Sequence, residues 1–252
     1  MSSIIIRFNI LNKLYEIKAE NINAIFLFGS IARDDYDEYS DVDIFILIED
    51  CLEEDYLKYK MDFANQLCIP IDWISLYRKS TIDNMAKYGS YFLWHIKTEG
   101  IKLFEKDLYF SNTLNCLIRY TKVKNDIMEY KEICNDIKNS LAVDNLTLKY
   151  ELNLISSIIR NTSIAILFMN NNYVFGRVTP VKLCLEMLDG KLKFNVDDYI
   201  RLYKYRLFYS RNNKQIHIRN VDKSYVEFWL ENANDMLNFA MKFVSMEVLN
   251  EI

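Results

Sequence analysis

Of the 252 residues in this chain only five are glycine and two proline, and that scarcity constrains the fold more than any other feature. Tight hairpins need residues that reach positive φ or that pre-set φ. An all-β sandwich or a linker-rich chain is therefore disfavoured, and helices are expected to dominate. Strand-like runs are confined to the first hundred residues. Residues 24–28 (AIFLF) end at Gly29, residues 42–48 (VDIFILI) are flanked by acids, and residues 69–77 (IPIDWISLY) begin beside Pro70; each run is short and β-branched or aromatic. Between the second and third, residues 54–67 carry apolar positions at loosely helical spacing and supply a crossover.

From about Ser111 onward the apolar residues fall three and four apart, as in Ile155, Ile158, Ile159, Thr162, Ala165, Ile166 and Met169. Breaks at 170–176 with Pro180 beyond, at Asp189-Gly190 and at Asn212-Asn213 predict four to six helices. The expected architecture is α+β: a small mixed β-sheet domain over residues 1–108, then an all-helical bundle over 109–252. No repeat or low-complexity linker separates the two parts, so they are expected to pack directly against each other.

Charge excludes some partners. With 31 basic and 35 acidic residues the net charge is -4, which disfavours a surface coated in positive charge for bulk nucleic-acid binding. Five cysteines without a C-x-x-C pair, and only two histidines, disfavour a structural zinc site. Arg7 and Lys13 interrupt the amino-terminal apolar run, which lacks a small-residue cleavage site, and no stretch approaches eighteen consecutive apolar residues. The expectation is a soluble cytoplasmic protein with free thiols and no membrane partner. Nothing in the sequence marks an oligomeric state.

The chemistry lies in residues 26–50, FLFGSIARDDYDEYSDVDIFILIED. Gly29 lets backbone approach a ligand closely, Ser30 offers a hydroxyl and its own N–H, and a helix starting there points amide donors at an anion. Asp41 and Asp43 stand two apart at the opening of an apolar strand, so a period of two puts both carboxylates on one face. Two like charges that close are costly beside a core unless a cation neutralises them. Oxygen-only ligands select a hard ion such as Mg2+ or Mn2+. Asp72, between Ile71 and Trp73, is a third acid in an apolar run, expected inside the third strand and beside the first two. Eleven acids against Arg33 alone crowd positions 33–55, and most of them read as a solvated rim.

Gly29-Ser30-x-x-Arg33, then Ser40-Asp41-x-Asp43, then the distal Asp72, resemble the signature of the DNA polymerase β-type nucleotidyltransferase superfamily, particularly its minimal and antibiotic-modifying branches. The resemblance covers roughly residues 20–105 and closes on the segment HIKTEGIKLF. One departure is local: Asp34 stands where a glycine commonly follows the arginine. The resemblance implies Mg2+-dependent (or Mn2+-dependent) transfer of a nucleoside monophosphate from an NTP, ATP foremost, to an acceptor hydroxyl, with release of pyrophosphate. It implies that Asp41, Asp43 and Asp72 are the catalytic, metal-holding residues, Asp72 as ligand or as general base. Gly29, Ser30, Arg33 and Ser40 would line the nucleotide, with Arg33 pairing either with phosphate or with the surrounding acids. The acceptor would be a small molecule, a protein side chain or RNA, held between the two domains. A non-catalytic nucleotide- or partner-binding module of the same fold is the rival, and three intact aspartates argue against it.

In the helical part, Arg201 to Arg219 holds six Lys/Arg and no acid, interleaved with Tyr203, Tyr205, Phe208 and Tyr209. That mixture suits RNA or a nucleotide, although a helix with a buried apolar face and a solvated basic face is the simpler expectation. Arg160-Asn161 and Arg219-Asn220 lack a histidine at the spacing of a HEPN-type nuclease. His95 and Glu99, four apart on an expected helix, and His217 are left outside the site.

Overall fold

The computed structural model describes residues 4–37, 40–210 and 216–250. The chain forms two compact units, Met1–Thr121 and Lys122–Ile252. Residues 109–121, given to the helical part on sequence grounds, thus fall in the first unit.

The first unit opens with a hairpin, β1 (Ile4–Ile10) and β2 (Lys13–Ala19), paired antiparallel from Ile4↔Ala19 to Ile10↔Lys13. Its two-residue connection is Leu11-Asn12, at φ 48° and 62°. Two central residues at positive φ define the turn that matches strand twist, and here no glycine supplies it. Leu11 bears a left-handed cost of about 1–2 kcal/mol. Burial of Ile6, Phe8, Ile10, Tyr15 and Ile17 in the core offsets it. Gln66 holds the hairpin from outside the sheet: its side chain accepts from the Lys18 N–H at 2.7 Å and donates to the Lys18 carbonyl at 3.2 Å.

The order then runs β3 (Ile22–Phe28), α1 (Gly29–Arg33), β4 (Asp43–Ile48), α2 (Glu53–Leu67), a 3-10 turn (Ile71–Trp73), β5 (Ile74–Arg78), α3 (Lys79–Ala86), α4 (Tyr91–Glu99), β6 (Ile101–Glu105) and α5 (Tyr109–Asn115). The four-stranded sheet has the order β5-β4-β3-β6. Strand β4 runs parallel to β5, and β3 is antiparallel to both β4 and β6. The crossover helix α2 makes the parallel step possible. On one face Val42, Ile44, Ile46, Ile48, Ile74 and Leu76 pack with Phe63, Ala64 and Leu67 of α2. On the other, Phe26, Phe45 and Tyr77 meet Phe92 of α4 and Phe110 of α5, with the Phe45 and Phe110 rings stacked at 4.6 Å. Both faces are covered, which is why β3 and β4 read as continuous apolar runs rather than alternating ones.

The second unit contains α6 (Val123–Val143), α7 (Leu148–Met169), α8 (Thr179–Leu188), α9 (Val196–Ser210) and α10 (Lys223–Asn250), and its described secondary structure is all helical. The whole is the expected α+β arrangement. Helix α7 packs against the other four. Among the described residues it is the one helix long and apolar enough to cross a membrane, but 72% of its most apolar window is buried inside the unit. A helix apolar on all sides belongs in a core. Arg160 is structural: its Nε donates to the Gly176 carbonyl at 2.9 Å and fixes the connection from α7 to α8. The break expected at Asp189-Gly190 is a left-handed turn, φ 40° and 72°; the one expected at Asn212-Asn213 lies outside the described residues.

Candidate active site

The site begins where β3 ends. The pairing Phe28↔Asp43 sets the first residue of β4 beside the last residue of β3, and the chain turns at Gly29 into α1. Gly29 has φ +77°, and a Cβ there would lie 2.1 Å from Asp43 Oδ2 and 2.9 Å from its Cγ. Glycine is thus required twice, for its backbone conformation and for the space the Asp43 carboxylate occupies. The next residue, Ser30, is 3% exposed and its Oγ has no hydrogen-bond partner. Leaving a buried hydroxyl unsatisfied costs about 1–3 kcal/mol, which marks this atom as one that a ligand would complete.

Helix α1 ends at Asp34, in the left-handed conformation at φ 61°, ψ 27°, where the Asp34 N–H reaches the Ile31 carbonyl and the Asp35 N–H donates to the Ser30 carbonyl at 3.1 Å. This backbone explains why glycine suits the position after Arg33, and why aspartate, which tolerates the left-handed region better than most residues, can replace it. Asp34→Gly should keep the turn and raise stability by up to about 1 kcal/mol, whereas Asp34→Val should lower it by at least as much. Thermal melts of the two variants check both signs.

Strand β4 begins at Asp43 rather than Val42, so Asp41 precedes the ladder instead of lying in it. Val42 is nonetheless buried with Ile44 in the core, and Asp41 and Asp43 are both partly buried. Ser40 closes the loop before them: its Oγ donates to Asp37 Oδ1 at 2.8 Å and accepts the Asp37 N–H at 2.8 Å. Asp72 does not lie inside a strand as the sequence suggested. After Pro70 the chain winds through a 3-10 turn, and exposed Asp72 sits in it, two residues before the Ile44↔Ile74 pair. The parallel register still brings it to the same end of the sheet as Asp43. Among the described residues no three Asp, Glu, His or Cys side chains gather into a ligand cluster, so the three aspartates share that end without converging.

Arg33 is held by acids. Its Nη1 donates to Glu99 Oε2 at 2.8 Å and its Nε to Asp35 Oδ2 at 3.1 Å. The same Glu99 oxygen lies 2.8 Å from His95 Nε2, and the His95 ring meets Phe28 edge-on at 5.4 Å. His95 and Glu99 therefore tie α4 to α1 and set the position of Arg33. Their spacing of four on a helix puts both on one face, but nothing local in the sequence joins that face to Arg33. Burial alone would raise the Glu99 carboxyl; hydrogen bonds and charge from His95 and Arg33 outweigh it and hold the group below the usual carboxylate range. A depressed folded-state pKa gives stability that is complete above the unfolded value of about 4.3. That stability disappears as pH falls through the lower folded value. Glu99→Gln should cost about 1–3 kcal/mol at pH 7 and should remove this part of the acid dependence, as read from denaturation midpoints between pH 7 and pH 3.

Several acids of the rim have specific partners. Glu49 pairs with Lys79 at 2.9 Å, Glu53 with Arg78 at 2.5 Å, and Asp50 accepts from the Ser80 hydroxyl at 2.7 Å. Glu38 lies outside the described residues.

The site thus joins a glycine turn, packed against the Asp43 carboxylate at the head of the neighbouring strand, to an unsatisfied buried hydroxyl at Ser30. The family model for polymerase beta nucleotidyltransferases matches residues 10–109. This segment is a polymerase beta-type nucleotidyltransferase domain. Among solved structures, a toxin–antitoxin crystallised with AMP-PNP is 19% identical, covering 47% of this chain and 88% of its own, at a TM-score of 0.30. A mutant of the toxin–antitoxin MntA-HpeT is 18% identical, covering 47% and 87%, at 0.29. No curated protein matches the chain.

Proposed function

We propose that the protein transfers a nucleoside monophosphate from an NTP, ATP foremost, to an acceptor hydroxyl on a small molecule or a protein. The observation that carries this reading is the Gly29–Asp43 approach, 2.1 Å from a would-be Cβ to Oδ2, next to the partnerless Ser30 hydroxyl. These features, with an all-oxygen donor set, fit a triphosphate and its divalent cation. Asp41 and Asp43 would hold Mg2+ or Mn2+, with Asp72 entering from the neighbouring turn. A bound cation of this kind neutralises the triphosphate and lowers the pKa of the attacking hydroxyl.

The chain's own residues supply positioning, which is most of what phosphoryl-type transfer needs. Gly29 and Ser30 receive phosphate oxygens through backbone N–H and hydroxyl. Ser40 shapes the loop that delivers Asp41. Arg33, locked to Glu99 and Asp35, fixes α1 beneath the phosphate turn rather than reaching freely for substrate. The acceptor oxygen bonds to the α-phosphorus, the bond from that phosphorus to the pyrophosphate oxygen breaks, and the acceptor proton leaves to solvent water, or to Asp72 where that carboxylate serves as general base rather than as metal ligand.

Incubating the protein with each α-labelled NTP, Mg2+ and separate pools of aminoglycosides or lincosamides, tRNA and cell protein tests the reading. Label should enter one pool and should fail to enter it when Asp41→Asn is combined with Asp43→Asn. Absence of transfer to every pool, or transfer that survives the double substitution, overturns it.

A further inference from the structure

The helical unit contains a cavity of about 410 Å3, bounded by α9, by residues 217–222 and by the start of α10. It is within the size range of small-molecule sites, about 300–1,000 Å3. Arg201 and Lys204, one turn apart on α9, face the same space as His217 and Arg219 from the returning segment, with the rings of Tyr205 and Tyr225 in its wall. Residues 211–215 of the basic stretch lie outside the described residues. The simpler expectation, a buried apolar face backed by solvated cations, holds for Leu202 and Tyr205, at 0% and 5% exposure. It does not account for cations converging from two separate segments on one volume.

Arg201 pairs with Asp198 on its own helix. Asp222, the one acid in the lining, accepts from the Ser224 hydroxyl at 2.8 Å and the Tyr225 N–H at 3.0 Å, and so is committed to the start of α10. Among the described residues Lys204 and Arg219 have no ion-pair partner. Tyr205 donates its hydroxyl to the Arg219 carbonyl at 3.2 Å, which fixes the returning segment against α9. Like charges brought together repel, and an anion is what relieves them. Partly buried Tyr225 adds an aromatic face of the kind on which a base stacks.

We infer that this cavity binds a nucleotide unit through its phosphate and base, at a site separate from the nucleotidyltransferase turn. Lys204 and Arg219 take the phosphate, and Tyr225 takes the base. The unit is either a free nucleoside monophosphate or the 5′-phosphorylated end of an RNA chain, which present the same chemistry.

Calorimetric titration of the full chain without divalent cation tests this with four probes. They are AMP, a 5′-phosphorylated RNA pentamer, the same pentamer with a 5′-hydroxyl, and inorganic phosphate. AMP or the phosphorylated pentamer should bind, and the affinity should fall at least about tenfold when Lys204→Ala is combined with Arg219→Ala, while Ser30→Ala leaves it unchanged. Both side chains are exposed, so the double variant should melt at the wild-type temperature. Binding of AMP identifies a free nucleotide as the ligand, and binding of the phosphorylated pentamer alone identifies an RNA end. The inference is overturned if nothing binds, if the double substitution has no effect, or if affinity is lost with Ser30→Ala instead. It also fails if inorganic phosphate or the 5′-hydroxyl pentamer binds as tightly as its phosphorylated nucleotide counterpart.

Discussion

Asp43→Asn should reduce nucleotidyl transfer by about 10^3-fold, equivalent to roughly 4 kcal/mol of transition-state stabilisation, while changing folding stability by less than about 1 kcal/mol. The substitution keeps the shape of the side chain, so the contact with Gly29 and the Phe28↔Asp43 pairing remain available. What it removes is a negative charge beside Asp41. Removing one of two neighbouring carboxylates relieves repulsion in the absence of a cation, so the melting temperature should hold or rise as activity falls. Metal binding supplies a second readout: the thermal upshift that Mg2+ or Mn2+ with NTP gives the wild type should be lost. A variant that melts normally, still shows the upshift and retains activity would remove Asp43 from the site.

Gly29→Ala is expected to damage the same chemistry by a different route. At φ +77° an L-residue with a Cβ pays about 1–2 kcal/mol for the left-handed backbone. The new methyl cannot coexist with the Asp43 carboxylate, whose Oδ2 and Cγ lie 2.1 and 2.9 Å from it. The end of the side chain can rotate away, so the fold should survive with a loss of about 1–3 kcal/mol. The carboxylate, however, leaves its place, and transfer should fall at least about 100-fold. A double-mutant cycle separates this from a general loosening. If alanine at 29 acts by displacing Asp43, adding it to Asp43→Asn should cost little further activity, a large coupling between the two sites. Strict additivity of the two losses would show that Gly29 acts through the backbone alone.

The sequence made part of this structure legible for definite physical reasons. Strands β3 and β4 and the helix between β4 and β5 stood out because a sheet covered on both faces leaves unbroken apolar runs. Gly29-Ser30 and Asp41-x-Asp43 stood out because a glycine at a strand end and two acids two apart before an apolar run are rare in a glycine-poor chain, and the structure does set Gly29 against Asp43. The amino-terminal hairpin did not, since its turn is Leu11-Asn12 and carries none of the glycine that normally announces a two-residue connection. Strand β6 was hidden for another reason: it is five residues long at the sheet edge, with Ile101 and Lys102 exposed. Asp72 was expected in a strand because its neighbours are apolar, yet Pro70 sets up a 3-10 turn before pairing starts. The partners of Arg33 were beyond local reading altogether, because His95 and Glu99 lie 62 and 66 positions further along.

The strand order also predicts an order of assembly. Strand β3 has β4 on one side, its immediate successor among the strands, and β6 on the other, the last strand of the sheet in sequence. Closing the longer loop carries the larger entropic cost, so β6 should dock after β3 and β4 have paired. The Gly29–Asp43 junction belongs to the early pair and should already be formed when the sheet is still open at its far edge. Glu99 stands two residues before β6, so its link to Arg33 belongs to the late step. The Gly29 turn would then be assembled first and tightened afterwards, and on partial opening it should be among the last elements to come apart.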